Sequence, residues 1–252
     1  MRFATFLFAG ILSAQSPTFE VATVKPANPG VGSTGMLVYP GGRMTVTNYT
    51  LRMLVHEAYL IEDFLIEGGP KWASEERYDI IATPPAGSQS SKVNPRNIKL
   101  PPIEEERLML QALLAERFKL VIHEETKEAP VFALTVAGQG HKMKPPKDPD
   151  DFPVVTGGKT GHPDTPDFLR AYNASMQHIT KRFSDMLKRP VVDRTGLQGS
   201  FDFFLEYVQG ISEDAHGPSL VTAVQSIGLK LTQTRAPVRH VIIDEAEKPT
   251  GN

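Results

Sequence analysis

The stretch NYTLRMLVHEAY, Asn48 to Tyr59, decides how the rest of the chain is read. Its apolar residues fall at Leu51, Leu54, Val55 and Ala58, the spacing of one face of a helix, and Thr50 stands directly before them as an N-cap. A second stretch, NASMQHITKRFSDML from Asn173 to Leu187, opens in the same way, with Ser175 ahead of Met176, Ile179, Phe183 and Leu187. Both openings are formal glycosylation sequons, but their shared place at a helix start makes capping the simpler explanation.

Working outward, Tyr78-Asp79-Ile80 has an echo in Phe201-Asp202-Phe203, Phe118-Lys119-Leu120 in Leu229-Lys230-Leu231, and Ala129-Pro130-Val131 in Ala236-Pro237-Val238. The offsets are 125, 123, 111 and 107, and they fall in order, as expected of a second copy that has lost loop residues. Each half then predicts two successive units of helix, strand, strand. In the first half these are helix 50–59 with strands 63–67 and 77–82, then helix 104–117 with strands 118–124 and 130–137. In the second they are helix 175–187 with strands 190–193 and 200–208, then helix 218–227 with strands 229–234 and 237–244. An amphipathic helix laid on a short antiparallel hairpin buries both apolar surfaces. The expected fold class is therefore α+β, a pseudo-symmetric duplication of helix-strand-strand units on small, mainly antiparallel sheets. Leading strands at 19–25 and 36–47 would extend the first sheet. In this scheme His123, Glu124 and Glu125 form the charged tip of a hairpin, and Pro130 and Pro237 each open a strand, where no ladder donor is needed.

The first residues, MRFATFLFAGILSAQS, set Arg2 before an apolar run and small residues after it, the anatomy of a secretory signal peptide ending near Ala14 or Ser16. The run is about ten residues, short of the roughly twenty a membrane-spanning helix needs. The expected organisation is a signal peptide at 1–16, an N-terminal half at 17–138, a Pro/Gly-rich linker at 139–167 and a C-terminal half at 168–252. Cysteine is absent, which removes thiol nucleophiles, thiolate metal sites and disulfides. Lys+Arg 27 against Asp+Glu 29 gives a formal charge of -2, so no overall basic field draws the chain to nucleic acid.

Catalytic signatures fail on inspection. GVGSTG, with Gly30, Gly32 and Gly35, follows a strand-like segment, but β-like residues and Pro40-Gly41-Gly42 come next instead of the helix a dinucleotide site requires. His56-Glu57 lacks the second histidine of H-E-x-x-H, since position 60 is Leu. Asp193-Arg194-Thr195-Gly196 interrupts D-T-G with an arginine, and no G-x-S-x-G elbow is present. The seven histidines are dispersed. No catalytic, cofactor or metal residue is assigned. Lys142, Lys144 and Lys147 with Pro145 and Pro146 read as a solvated basic linker. Trp72 with Tyr78, and His123 with Glu125, are the candidate ligand or interaction surface.

The blocks FEVATVKP, GGRMTVTNYTLRMLVHEAY, GGPKWASEERYDI, MLQALLAERFKLVIHEETKEAPVFALTVA, RPVVDRTGLQGSFDFFLEY, GPSLVTAVQSIGLKL and APVRHVIIDEAEKP, in this order, resemble an uncharacterised family of soil-associated bacterial proteins expanded in Acidobacteria of the Solibacter type. The resemblance implies no particular activity or catalytic residue. Some members of that family are fused to membrane metallopeptidases like the antirepressor-type β-lactam sensors, which implies a sensing or binding role outside the cytoplasm. The expected function is an exported, non-enzymatic binding or protein-interaction module for a protein, peptide or small-molecule ligand, using sheet edges or a groove between its halves. The alternative is an exported hydrolase whose site is assembled from dispersed His and Asp/Glu.

Overall fold

Thr50 begins the first helix as its sequence predicts, its side-chain oxygen accepting the Met53 N–H at 3.2 Å. In the computed structural model, which describes residues 17–28, 30, 32–39, 41–88, 103–151, 153–158, 166–208 and 218–250, the chain forms two compact units. Unit 1 comprises Met1–Glu124 and Val241–Asn252, and unit 2 comprises Glu125–His240. The expected signal peptide lies outside the described residues.

Unit 1 contains β1 (Val21–Pro26), β2 (Gly35–Val38), β3 (Met44–Thr50), α1 (Leu51–Tyr59), a 3-10 turn at Asp63–Leu65, β4 (Ile66–Gly68), α2 (Trp72–Glu75), β5 (Arg77–Thr83) and α3 (Glu104–Arg117). Its antiparallel sheet has the order β1-β5-β3-β2. Leu51, Leu54, Val55 and Ala58 of α1 and Met109, Leu110, Leu113 and Leu114 of α3 are buried, together with Val46, Ile80 and Ala82 from the sheet. Each such large side chain contributes about 1.5–3 kcal/mol by leaving water. The start of α3 is closed by Glu106, which is fully buried and accepts the Ile103 N–H at 2.9 Å.

The chain passes into unit 2 along β6 (Val121–Val136) and continues through β7 (Val154–Gly158), β8 (Asp167–Ser175), α4 (Met176–Leu187), β9 (Val191–Asp193), β10 (Ser200–Tyr207), α5 (Leu220–Ala223) with a following 3-10 turn, and β11 (Leu229–Glu245), whose end belongs to unit 1. The unit 2 sheet is β10-β8-β7, antiparallel. Leu169, Ala171, Phe203 and Leu205 point to its core side, against Ile179 and Phe183 of α4 and against Leu220, Val224 and Ile227. With helices on small, mainly antiparallel sheets, the fold is α+β.

Beyond the strand expected at 63–67, which is a 3-10 turn and then β4, and the helix expected at 218–227, which is α5 and then a 3-10 turn, three expectations change. The predicted hairpins at 118–137 and 229–244 are single strands of 16 and 17 residues, β6 and β11, so His123, Glu124 and Glu125 lie within a strand and not at a turn. The reason is visible at Pro130. Phe132 N–H donates to Pro190, so the β9 side of β6 is where residues of that parity face, and β9 pairs only with Phe132 to Leu134. Pro130 therefore has no ladder partner to miss, and the strand runs through it. Second, the segment expected as a linker, 139–167, carries structure: Met143 is in the unit 2 core, Lys144 bridges Asp202, and β7 pairs with β8. Third, the strand expected at 36–47 is two strands, β2 and β3, paired antiparallel.

Several local features occur in both units. Asn48 and Asn173 both have positive φ, 60° and 46°, at a bulge, and their N–H groups donate to Asp79 and Asp202, each at 2.8 Å. Ile66 of β4 pairs in parallel with Val241 of β11, and Val191 of β9 in parallel with Phe132 of β6. Left-handed residues follow the last helical segment of each, Lys119 in one and Gly228 in the other. These two, and the Phe132/Val241 pair, differ by 109 positions, whereas the strings FKL/LKL and APV/APV are offset by 111 and 107. Lys25 faces Asp79 as Lys144 faces Asp202, and Val24 is buried as Met143 is.

Candidate ligand-binding groove

The outer face of β8 and β10 in unit 2 starts from strand alternation. With Leu169, Ala171, Phe203 and Leu205 turned to the core, Phe168, Arg170, Tyr172 and Phe204 must turn away from it. Arg170 is opposite Phe204 in the ladder, and its guanidinium lies over the Phe204 ring at 5.2 Å and over the Phe168 and Tyr172 rings at 6.0 Å each. Phe168 and Phe204 stack with centroids 6.2 Å apart. Tyr172 and Phe204 remain 42% and 47% exposed, large aromatic surface left in water.

A basic segment runs beside this face. Lys144 and Asp202 exchange both backbone hydrogen bonds at 2.9 and 2.8 Å, the Asp202 carboxylate also accepts the Lys147 N–H at 3.1 Å, and Lys142 N–H donates to Ile227 at 2.8 Å. The segment is thus held at three points, and its lysine side chains are exposed. Together with Arg170, Tyr172, Phe204 and Ser226, the three lysines line an open groove of about 360 Å³. Among the described residues lining it Asp202 alone is acidic, and both its carboxylate oxygens already accept backbone N–H groups. The groove can therefore attract an anion and offer it aromatic surface.

The residues singled out from sequence lie elsewhere. Trp72 and Tyr78 do come together, edge to face at 6.5 Å, and Tyr78 packs edge on against Phe118 at 5.1 Å. Tyr78 is buried, and its hydroxyl donates to Glu76 at 3.2 Å, which in turn accepts Lys248 at 2.6 Å. Burial first, and the Glu76 charge second, push the Tyr78 phenol up to about 12, while Lys248 holds Glu76 below its usual range. This is a packed aromatic with a satisfied polar tip. His123 pairs with Asp244 at 2.8 Å on an exposed strand surface, and Glu125 with Lys127 at 2.9 Å.

The other motifs resolve into structure. His56 donates from Nδ1 to the Ile61 carbonyl at 2.6 Å, closing the end of α1. Asp193 accepts the N–H and hydroxyl of Thr195 at 2.8 and 2.7 Å, which makes Asp193-Arg194-Thr195-Gly196 a turn. β2 begins at Gly35, where a dinucleotide site would need a helix. Among the described residues no group of three His, Asp or Glu could hold a metal, and no helix is long and apolar enough to cross a membrane. Sequence reads Lys142, Lys144 and Lys147 as linker, which hides the groove. The available signal was Val24-Lys25-Pro26 against Met143-Lys144-Pro145, which marks the segment as a counterpart of β1.

Comparison with curated proteins and with solved structures finds no match in either. Residues 52–246 match a protein family described as "Protein of unknown function (DUF3738)". That span is most of the chain, and the chain belongs to the DUF3738 family.

Proposed function

We propose that the chain is an exported, non-enzymatic binding module, built from two diverged copies of one unit, that takes an anionic ligand on the outer face of β8 and β10. The observation that carries the reading is Arg170, seated over three aromatic rings and flanked by Lys142, Lys144 and Lys147 along one groove. Four cations around exposed aromatic surface cost stability through mutual repulsion unless a ligand offsets it. The export half of the reading rests on the N-terminal sequence, and a sensing role outside the cytoplasm on the family resemblance. The test is calorimetric titration of the chain from residue 17 onward with poly-glutamate at low salt. The triple variant Lys142→Ala, Lys144→Ala, Lys147→Ala should lose at least tenfold in affinity, and an unchanged affinity would sink the reading.

One contact favours the hydrolase alternative. His123 and Asp244, 2.8 Å apart, form the base-and-orienter half of a hydrolytic constellation. A broad screen of ester, peptide and glycoside substrates should find no turnover. Turnover that His123→Ala abolishes would establish the alternative.

A further inference from the structure

The two sheets differ at one edge. In unit 1, β1 covers the outer edge of β5 over six residue pairs, from Val21 opposite Thr83 to Pro26 opposite Tyr78. In unit 2 the corresponding cover of β10 among the described residues is a single pair, Lys144 opposite Asp202. The chain then leaves the sheet. Thr23 pairs with Ile81 in unit 1, but Lys142, the residue in the same relation to Lys144, gives its N–H to Ile227 instead of continuing along β10. Gly228 makes this detour available: a Cβ there would collide with the Gly140 carbonyl, and its φ of +74° suits glycine.

The consequence for β10 follows from strand geometry. Backbone N–H and C=O groups alternate sides, and Asp202 faces outward to Lys144, so Phe204 and Glu206 face outward as well. Val208, the next in that series, has its N–H taken by Pro218 at 2.8 Å. Between these two anchors, no partner among the described residues meets the outward backbone groups of Phe204 and Glu206, and the cationic groove lined by Phe203, Phe204, Lys142, Ser226 and Ile227 lies beside this open stretch of edge. An exposed edge of this kind is a template for another strand.

We infer that the ligand of the groove is an extended acidic peptide, which adds to the outer edge of β10 in the position that residues 21–23 hold in unit 1. This rests on the anionic-ligand reading and specifies it. Backbone hydrogen bonds to Phe204 and Glu206 supply affinity, and carboxylates on alternate peptide residues, about 6.6 Å apart in a strand, meet the cations flanking the edge. Charge complementarity selects this occupant: Lys142, Lys144, Lys147 and Arg170 line the groove beside the edge, Asp202 has both carboxylate oxygens occupied by backbone N–H groups, and these four cations outnumber the one exposed acid on the edge itself, Glu206. A strand of about four residues fits between the Lys144 bridge and Val208.

The experiment titrates the chain from residue 17 onward with the blocked hexapeptide acetyl-(Glu-Val)3-amide, with the same peptide N-methylated at alternate residues, with acetyl-(Lys-Val)3-amide, and with inorganic polyphosphate and oligothymidylate. Binding of the Glu-Val peptide is expected, with at least tenfold loss on N-methylation and no binding of the Lys-Val peptide. Glu206→Pro removes an outward N–H while leaving the bonds to β8, and should lose at least tenfold where Glu206→Gln does not. The N-methylated peptide applies the same test to the unaltered protein should Glu206→Pro fold poorly. Equal binding of the methylated peptide overturns strand addition but leaves an anionic groove. Binding of polyphosphate or oligothymidylate without the peptide does the same, and binding of no anion at all removes both readings.

Discussion

The sheets of units 1 and 2 share a core side and diverge on the other. Ile80 and Ala82 in β5 stand to Phe203 and Leu205 in β10 as buried residues on the same parity, and Leu54 in α1 stands to Ile179 in α4, both fully buried. The outer faces differ in charge. Where unit 2 places Arg170 opposite Phe204, unit 1 places Thr45 opposite Ile81. Core positions are held by packing, since a change of even one methylene is felt there. An outer face is released from that constraint and can take on a ligand, and the cationic groove occurs on the unit 2 face, beside a stretch of β10 edge that no described residue pairs.

The comparison breaks most directly at the core. Leu54→Ala and Ile179→Ala should each destabilise by about 2–5 kcal/mol, measured as the shift in urea midpoint with the slope unchanged. A cost below about 1 kcal/mol at one site and not the other would mean the two helices do not play equivalent parts.

A smaller effect is expected at the bulges. Asp79 and Asp202 each accept the N–H of an asparagine held at positive φ, at 2.8 Å. Replacing either by Ala leaves a partly buried amide without its charged acceptor, at about 1.5–3 kcal/mol. Asp202 also anchors Lys147, so only Asp202→Ala should speed hydrogen exchange at the Lys147 amide. Equal exchange in wild type and variant would detach the basic segment from the bulge.

These pairs also show what the sequence could and could not disclose. Thr50 and Ser175 as caps, and the apolar faces behind them, were legible because local spacing and cap chemistry act within one turn. The α+β class followed from the same local signals. The continuity of β6 and β11 was not legible, because whether Pro130 ends a strand depends on where β9 starts, a fact of pairing and not of composition. The groove was hidden for a related reason. Arg170, Phe204 and Lys144 are far apart in the chain, and only registers set by the bulge at Asn173 bring them to one face. Trp72 attracted attention as the lone tryptophan, yet its place beside Tyr78 is one of packing.

The finest difference between the units lies at the two caps. Thr50 accepts the Met53 N–H, and no titratable group takes part. Ser175 accepts the His178 N–H at 3.5 Å while the Ser175 N–H and hydroxyl both meet His178 Nδ1, at 3.3 and 2.8 Å. To accept the backbone N–H, Nδ1 must be unprotonated, and burial lowers the His178 pKa from its ordinary value of 6.5. The unfolded chain therefore binds the proton more readily than the folded one, so the stabilisation is fully present above pH 6.5 and is lost as pH falls through the lowered folded value. Hydrogen exchange at the first-turn amides of α4 should accelerate between neutral and mildly acidic pH, after correction for intrinsic rates, while those of α1 do not. His178→Met copies the unit 1 arrangement, in which the third helical residue is Met53, and should abolish the pH dependence at the cost of one cap bond. If α1 and α4 loosen together on acidification, or the variant keeps the response, the titrating group lies elsewhere and the two caps are alike after all.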